Sequence, residues 1–466
     1  MRLSRALRLT SGDVLALTGG GGKTATMFRL AAELTSTSPE KWRVLTTTST
    51  RIFAVQIKRS PAHVAFDPGR QTIADILPPL ERAIDQHGQA LLIGQTESKS
   101  GKAYGIPPHT IDDLAATGCF DLIINEADGS RMRPFKAPAA HEPVIPACTT
   151  VVTPVVGLDV LDQPLNDETV HRAELVSRLS RTALGRPVTA ETVATVLCHP
   201  QGGLKNVPAA ARVIPLLNKA ETPDDLCAGR DLAHRLLTCE RFEAVAIGAV
   251  EATEDPVIEL QSRTAAIILA AGGSTRFGAP KQLARWAGQS FIERAVDVAL
   301  ASPARPVIVV LGAEVEQSVA ALGDRPVEVI INEAWARGQS SSMKAGLAAL
   351  PAHISSAIFL LVDQPWLQPQ TLAALIQHHR QTLAPLVWPE FEGHRGNPIL
   401  FDRVLFSELR EISGDLGGRP LLKTYQNQAG RVQVRDQGIL LDVDRMEDLD
   451  KLPSWGESQS SGWGSG

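Results

Sequence analysis

The chain has 466 residues, 44% of them hydrophobic and 21% charged, with a net charge of −5. That length calls for roughly two to four domains, and the composition excludes a globally disordered chain and argues against a basic nucleic-acid surface. No apolar stretch approaches the ~20 residues of a membrane span, and the start, MRLSRALRLTSGD, lacks the apolar segment of an export signal. The five cysteines (Cys119, Cys148, Cys198, Cys227 and Cys239) form no CxxC pair. A cytoplasmic protein without a zinc site or disulfide framework is therefore expected, with no nucleic-acid or membrane partner.

In chain order, the first informative segment is LALTGGGGKTATMF, from Leu15. An apolar strand breaks into glycines and leads into a helix-compatible stretch, which is how nucleotide-binding α/β domains commonly begin. GGGGKT (19–24) departs from GxxxxGK(S/T), because Leu17 stands five residues before Gly22. It has the shorter form GxxGKT, similar to loops of the Mur-ligase type. Backbone amides from Gly19 to Gly22 are expected to cradle phosphate, with Lys23 reaching the outer phosphates and Thr24 ligating Mg²⁺. Further on, LIINEADGS (122–130) reads as an apolar strand ending in acids, so Glu126 or Asp128 is expected at the metal. PLLNKAE (215–221) resembles the NKxD base-reading element, with Asn218 and Lys219 as nucleotide contacts; it also reads as a strand ending in a polar turn. Glu221 stands where Asp is usual, which leaves the base open between ATP and GTP.

VLTTTSTRIF, NEADGSRMRPFKAP and HEPVIP together are similar to the YqeC family, across roughly residues 10 to 250. The resemblance implies a role in maturing molybdenum hydroxylases, selenium-dependent ones included. It makes Lys136 and His141 further candidates for a phosphate or pterin, and an apo molybdenum hydroxylase a candidate partner.

EATEDPVIELQSRT (251–264) is polar and contains a proline, so a linker is expected over 256–264, between domains at 1–255 and 265–453. The tail, 454–466, is low in complexity and is expected to be disordered.

IILAAGGSTRFGAPKQL (267–283) opens the second half. Four apolar residues, Ile267 to Ala270, predict a buried strand, Gly272 and Gly273 let the backbone approach a ligand, and Arg276 and Lys281 suit a phosphate chain. GGSTRFG is not the dinucleotide fingerprint GxGxxG. Strands are predicted at PVIVVLG, VEVII and AIFLLVD, with helices at SFIERAVDVALAS, SSMKAGLAAL and QTLAALIQHHR, giving a mostly parallel sheet. Asp363, ending AIFLLVD, faces the ligand crevice as a Mg²⁺ holder or caps the next helix. Asp442 and Asp444, closing a predicted strand in ILLDVD, share a face, and either completes the metal site.

LAAGGSTRFGAPKQL, NEAWARGQSSSMKAGL, LLVDQPWL, GHRGNPILF and GDLGGRPLL occur in the order found in MobA-like nucleotidyltransferases, and the LAAG opening resembles the molybdenum cofactor cytidylyltransferase branch. The resemblance implies transfer of CMP from CTP to the terminal phosphate of molybdopterin, with release of pyrophosphate. Gly272 and Gly273 would cradle phosphates, Arg276 the β/γ end and Lys281 the α-phosphate; Asp363 and Asp444 would hold Mg²⁺. Ser340, Ser341 and Ser342 fall where the family contacts the nucleotide, or form a Ser-rich helix start. His394, Arg395 and Asn397 would line the pterin side. Asp415 and Arg419 would clamp substrate or pair with each other.

The expected architecture is thus α/β: two three-layer α/β/α domains, the first P-loop-like and the second Rossmann-like. The expected function is bifunctional maturation of the molybdenum cofactor. A different phosphate acceptor, such as a sugar phosphate, and a non-catalytic cofactor chaperone are the alternatives.

Overall fold

The computed structural model describes residues 1–36, 41–97, 102–252, 254–273 and 277–451; Arg276 and the tail at 454–466 lie outside them. It divides into two compact units, Met1–Gln261 and Ser262–Gly466. Among the described residues, no helix is long and apolar enough to cross a membrane.

Alongside a two-stranded and a three-stranded sheet, the first unit is built on one large sheet. Its strands are β1 (Asp13–Gly19), β2 (Val44–Thr48), β3 (His63–Ala65), β4 (Gln89–Ile93), β5 (Leu122–Glu126), β6 (Val151–Gly157), β7 (Leu216–Asn218), β8 (Ala244–Gly248) and β9 (Val257–Ser262). They lie in the order β9-β8-β7-β6-β1-β5-β2-β4-β3, and a short strand at Arg212–Val213 also pairs with β6. The pairings of β1 with β6 and β5, and of β5 with β2, are parallel. Central strands such as β2 and β6 are buried along their whole length, which is why they read as continuous apolar runs rather than alternating ones. Helix α1 (Lys23–Ser36) follows β1 directly.

Residues 256–264 do not form a linker. Val257–Ser262 is an edge strand of the first sheet, and the next strand begins at Thr264. The segment looks polar because Glu259 is in it, yet Glu259 is fully buried and held by both arms of Arg230, at 2.8 and 2.7 Å.

The second unit has β10 (Thr264–Ala270), α2 (Phe291–Ala301), β11 (Val307–Leu311), β12 (Glu328–Ile331), α3 (Gln339–Ala348), β13 (Ser356–Leu361), α4 (Pro369–Thr382), β14 (Leu386–Phe391), β15 (His394–Arg395), β16 (Ile399–Asp402) and β17 (Gly430–Gln433). The order is β12-β11-β10-β13-β16-β14-β15, with β17 beside β14. The β12-β11-β10-β13 half is parallel, and β16 then runs antiparallel to β13. Along β10, Ala266, Ile268 and Ala270 pack into one core with α2 and α4, while Ile267 and Leu269 pack into another with α3. The sheet is therefore sandwiched between helices, a Rossmann-like three-layer arrangement. The strand predicted at ILLDVD is instead a 3₁₀ turn, Gln437–Leu440, followed by irregular chain that docks Val443 N–H on the Asp363 carbonyl at 2.9 Å.

Candidate functional site

In the first unit, the chemistry gathers at the carboxyl ends of β1, β5, β6 and β7. The glycine loop is wedged there between two other backbones. A side chain at Gly21 would collide with the Gly157 backbone, and Gly22, at φ 128°, lies against the Asn218 amide. The loop's first amides are used internally: Gly19 N–H donates to Asp128 Oδ2 (3.1 Å), Gly20 N–H to Val155 O (2.8 Å) and Gly21 N–H to Arg133 O (3.0 Å). Gly19 thus shapes the loop rather than cradling phosphate. The amides left to face a ligand are those of the first turn of α1, which by helix geometry lack intrahelical partners.

Lys23 and Thr24 begin that turn. Lys23 is nearly buried; its Nζ donates to Gly19 O (2.6 Å) and pairs with Asp128 Oδ1 (3.2 Å) and Glu126 Oε1 (3.8 Å). Thr24 Oγ1 donates to Glu126 Oε2 at 2.8 Å. Burial raises the Glu126 pKa despite the opposing charge of Lys23. Asp128, the other acid expected at the metal, has a buried Oδ1 without a hydrogen-bond donor. It is 2% exposed and is tied to Gly19 N–H, Lys23 and Lys136, so it anchors the loop. Asn218 likewise donates to Gly21 O (2.7 Å) and accepts from Val250 N–H (2.9 Å), so its amide is consumed in holding the loop, not in reading a base. Lys219 is half exposed and pairs with Asp159 at 2.6 Å.

Lys136 is also placed otherwise than expected. It is buried beneath the site, bonded to Gly129 O (2.7 Å), Asp128 (3.1 Å) and Glu142 (2.6 Å). Glu142 in turn receives both arms of Arg172, at 2.6 and 3.1 Å. Burial pushes the Glu142 pKa up, but the Arg172 hydrogen bond and the Lys136 charge outweigh it and hold the carboxyl at about 2. Glu142 and Arg172 were not singled out in the sequence, where they are 30 residues apart. His141 stays exposed, 3.8 Å from Glu142. A cavity of about 1210 Å³ opens over this edge, lined by Gly22, Lys23, Thr24, Glu126, His141 and Arg172 among others.

In the second unit, β10 lies between β11 and β13, and the loops leaving their carboxyl ends converge where open α/β sheets bind ligands. Gly272 and Gly273 line a recess of about 320 Å³ with Pro280 and Gln282. The Trp335 ring lies where a Gly273 side chain would have to go. Lys281 Nζ bridges two carboxylates, Asp363 Oδ2 at 2.9 Å and Asp444 Oδ1 at 3.1 Å. Asp363 Oδ1 is buried without a hydrogen-bond donor. Asp442 lies close by; burial, then the Asp363 charge, raises its pKa, and Gln364 donates to its Oδ1 at 2.9 Å.

This cluster fits a divalent cation. An ammonium already sits between two carboxylates, and one buried carboxylate oxygen has a free lone pair. Among the described residues, no three His, Cys, Asp or Glu side chains form a ready-made cage. Mg²⁺ suits such a site, since it commonly takes one or two carboxylates and completes its shell with phosphate oxygens and water.

A second recess of about 340 Å³ is lined by Phe359, Phe401, Arg395, Asn397, Arg419 and Asp442, among others. His394 is not among its lining residues; it is exposed on the β14–β15 hairpin with Nδ1 3.1 Å from Glu392 O. Asp415 accepts the Gln339 N–H at the start of α3 (3.2 Å), and the ion pairs seen among the described residues do not include one to Arg419. Ser341 and Ser342 are fixed by Asn332, whose Nδ2 donates to their hydroxyls at 2.8 and 3.0 Å; Ser340 is buried beside them. Asn332 was not singled out in the sequence, although it opens the NEAWARGQSSS motif.

Residues 15–174 match the family model described as YqeC protein, and residues 266–430 the one described as MobA-like NTP transferase domain. The chain is 31% identical to the uncharacterized protein YqeC of Escherichia coli K12 over 245 residues, 53% of this chain and 90% of that protein. It is 30% identical over 194 residues to nicotine blue oxidoreductase of Paenarthrobacter nicotinovorans, covering 40% of this chain and 94% of the relative. It is also 30% identical over 196 residues to the purine catabolism protein PucB of Bacillus subtilis 168, again 40% and 94%. With these matches on two separate units, the chain belongs to the YqeC family through its N-terminal half and to the MobA-like NTP transferases through its C-terminal half.

Proposed function

We propose that the C-terminal unit transfers the CMP group of CTP to the terminal phosphate of molybdopterin, and that the N-terminal unit binds ATP or GTP to modify or deliver that cofactor. The observation that carries the transferase reading is the cluster of Lys281, Asp363 and Asp444 beside the Gly272 and Gly273 recess.

Nucleotidyl transfer is chiefly positioning and charge stabilisation. Bound Mg²⁺ would neutralise phosphate oxygens, held by Asp363 and Asp444. Lys281 would turn from these carboxylates to the α-phosphate, where negative charge builds as pyrophosphate leaves. The glycine turn would admit the phosphate chain. Arg395, Asn397 and Arg419 would orient the acceptor in the second recess, whose Phe359 and Phe401 walls suit a flat heterocycle. No general base is needed, because a phosphate monoester is already largely anionic at neutral pH. In the N-terminal unit, Lys23 and the first turn of α1 would hold the nucleotide phosphates, and Thr24 with Glu126 its metal.

One relative bears an oxidoreductase name. Reading this chain as redox would require a dinucleotide site at the β10 loop, and GGSTRFG with its cations is a poorer match to such a site than to a triphosphate. The deciding experiment is pyrophosphate release by the purified chain with Mg²⁺ and molybdopterin, comparing CTP, GTP and ATP. Release with CTP that disappears in Asp363→Ala supports the transferase. Absence of release with every nucleotide, while molybdopterin still binds, would sink it in favour of the chaperone reading.

A further inference from the structure

The N-terminal cavity is larger than a nucleotide site needs. Its roughly 1210 Å³ exceeds the ~300–1,000 Å³ of ordinary small-molecule pockets. The glycine loop, Lys23 and Thr24 form one part of its wall, and Arg131, His171 and Arg172 form another. These last three also border an adjoining recess of about 490 Å³, together with Arg133.

Three observations mark that part of the wall as a place for an anion. First, the Arg131 and Arg133 side chains make no ion pair or hydrogen bond with other described residues, while Arg131 is exposed. Second, backbone in the left-handed region, unusual for residues with side chains, recurs here at Arg131 (φ 51°), Met132 (62°) and Arg172 (66°). Such backbone persists where the surroundings impose it, commonly at ligand sites. Third, burial lowers the His171 pKa to about 4, and the charges of Arg172, Lys136 and Arg131 add to it against the smaller opposing effect of Glu142, so cations outweigh anions around it. Two acids, Asp167 and Glu174, also border the recess, against the three arginines Arg131, Arg133 and Arg172, so the arginines outnumber the acids in its lining.

This wall is wired to the phosphate loop. A chain of alternating charges runs Lys23, Asp128, Lys136, Glu142, Arg172, with successive contacts of 3.2, 3.1, 2.6 and 2.6 Å. With Glu126, 3.8 Å from Lys23, it holds three cations and three anions. Buried charge is costly unless compensated, and in this chain each cation has a carboxylate beside it, whereas Arg131 and Arg133 lie outside it.

We infer that the cavity takes two ligands at once: nucleotide phosphates at the loop and, at Arg131, His171 and Arg172, the phosphate group of a second, acceptor molecule. The inference rests on the nucleotide reading of the loop and extends it from a simple nucleotide binder to a two-substrate site. Anion binding at Arg172 competes with Glu142 for the guanidinium and so shifts the charge balance felt by Lys23.

The test uses the full chain and inorganic phosphate as probe, in equilibrium dialysis with and without saturating ADP or GDP. Wild type, Lys23→Ala and the Arg131→Ser/Arg133→Ser double variant are compared, with Arg131→Lys as the conservative control and thermal unfolding as the check on folding. The expected result is a bound phosphate that survives nucleotide saturation and weakens about tenfold or more in the double variant, with nucleotide binding little changed, while Arg131→Lys retains most of the phosphate affinity. Loss of nucleotide binding in Lys23→Ala alone is expected. If nucleotide binds normally but no arginine-dependent phosphate remains, the second ligand site is refuted while the loop reading stands. If phosphate depends on the arginines but nucleotide never binds, the loop reading fails instead.

Discussion

Removing the charge of Glu142 tests the buried ion chain of the first unit quantitatively. The carboxyl is lowered from an ordinary 4.5 to about 2 in the folded protein. Burial works against ionisation, and the Arg172 hydrogen bond with Lys136 overcomes it. Lowering from 4.5 to about 2, at ~1.36 kcal/mol per tenfold in acidity, corresponds to about 3.4 kcal/mol. One edge of the carboxylate borders the open cavity, so solvent screening reduces this to about 2 kcal/mol. Because the folded pKa lies below the unfolded one, this stabilisation is complete above about 4.5 and is lost as pH falls toward about 2. Glu142→Gln should therefore destabilise the first unit by about 2 kcal/mol at pH 7 and by less than half of that near pH 3. Hydrogen exchange in increasing urea, read by mass spectrometry on peptides from β1 and β5, isolates this unit from the other. A gap between variant and wild type that stays constant from neutral to acidic pH would refute the account, since Glu142 would then contribute through shape and not through charge.

Asp363→Asn, which keeps the side chain's size, is expected to cut pyrophosphate release by about 10²–10³-fold, and a loss of under tenfold would remove Asp363 from the metal site. Lys281→Ala should strengthen binding of Mn²⁺ alone, followed by electron paramagnetic resonance, because it frees Asp363 and Asp444; unchanged or weaker binding would mean the two carboxylates do not form the metal site. Gly22→Ala, at φ 128° and against Asn218, should lower the unfolding temperature of the first unit and abolish its nucleotide binding; normal binding would show that the loop can shift. Burial, then Asp112 for Cys148 and Cys239 for Cys198, pushes both thiols up to about 12. Iodoacetamide at pH 8 should therefore label the exposed Cys227 well before either of them, as peptide mass spectrometry would report.

The parts legible in the sequence are those whose signal is local. Apolar runs such as Ile267 to Ala270 located the parallel strands, because strands covered on both faces cannot alternate. The glycines before Lys23 located the tight turn between β1 and α1, because only residues without side chains fit between Val155, Arg133 and Gly157. What stayed illegible depends on partners distant in the chain. Val257–Ser262 looked like a linker because its Glu259 is neutralised by Arg230, 29 residues earlier. Lys136 and Asn218 were read as ligand contacts because their residue types suit that task, yet Glu142 and Gly21 claim their polar atoms. Asn332 was overlooked because its role appears only when the end of β12 meets the start of α3.

The position of Lys281 bears on how a catalytic cycle would close. Once pyrophosphate and its cation depart, Asp363 and Asp444 would be left as neighbouring anions, a state that favours recapture of the leaving metal. A flexible ammonium tethered within 3.1 Å of both carboxylates competes for that vacancy without having to diffuse. Its local concentration is fixed by the chain and independent of cellular magnesium. The lysine expected to assist bond breaking would thus also act as an internal displacer, hastening product exit and returning the site to rest after each turnover. Slower pyrophosphate departure in Lys281→Ala, measured by rapid-quench and stopped-flow comparison, would be its kinetic signature.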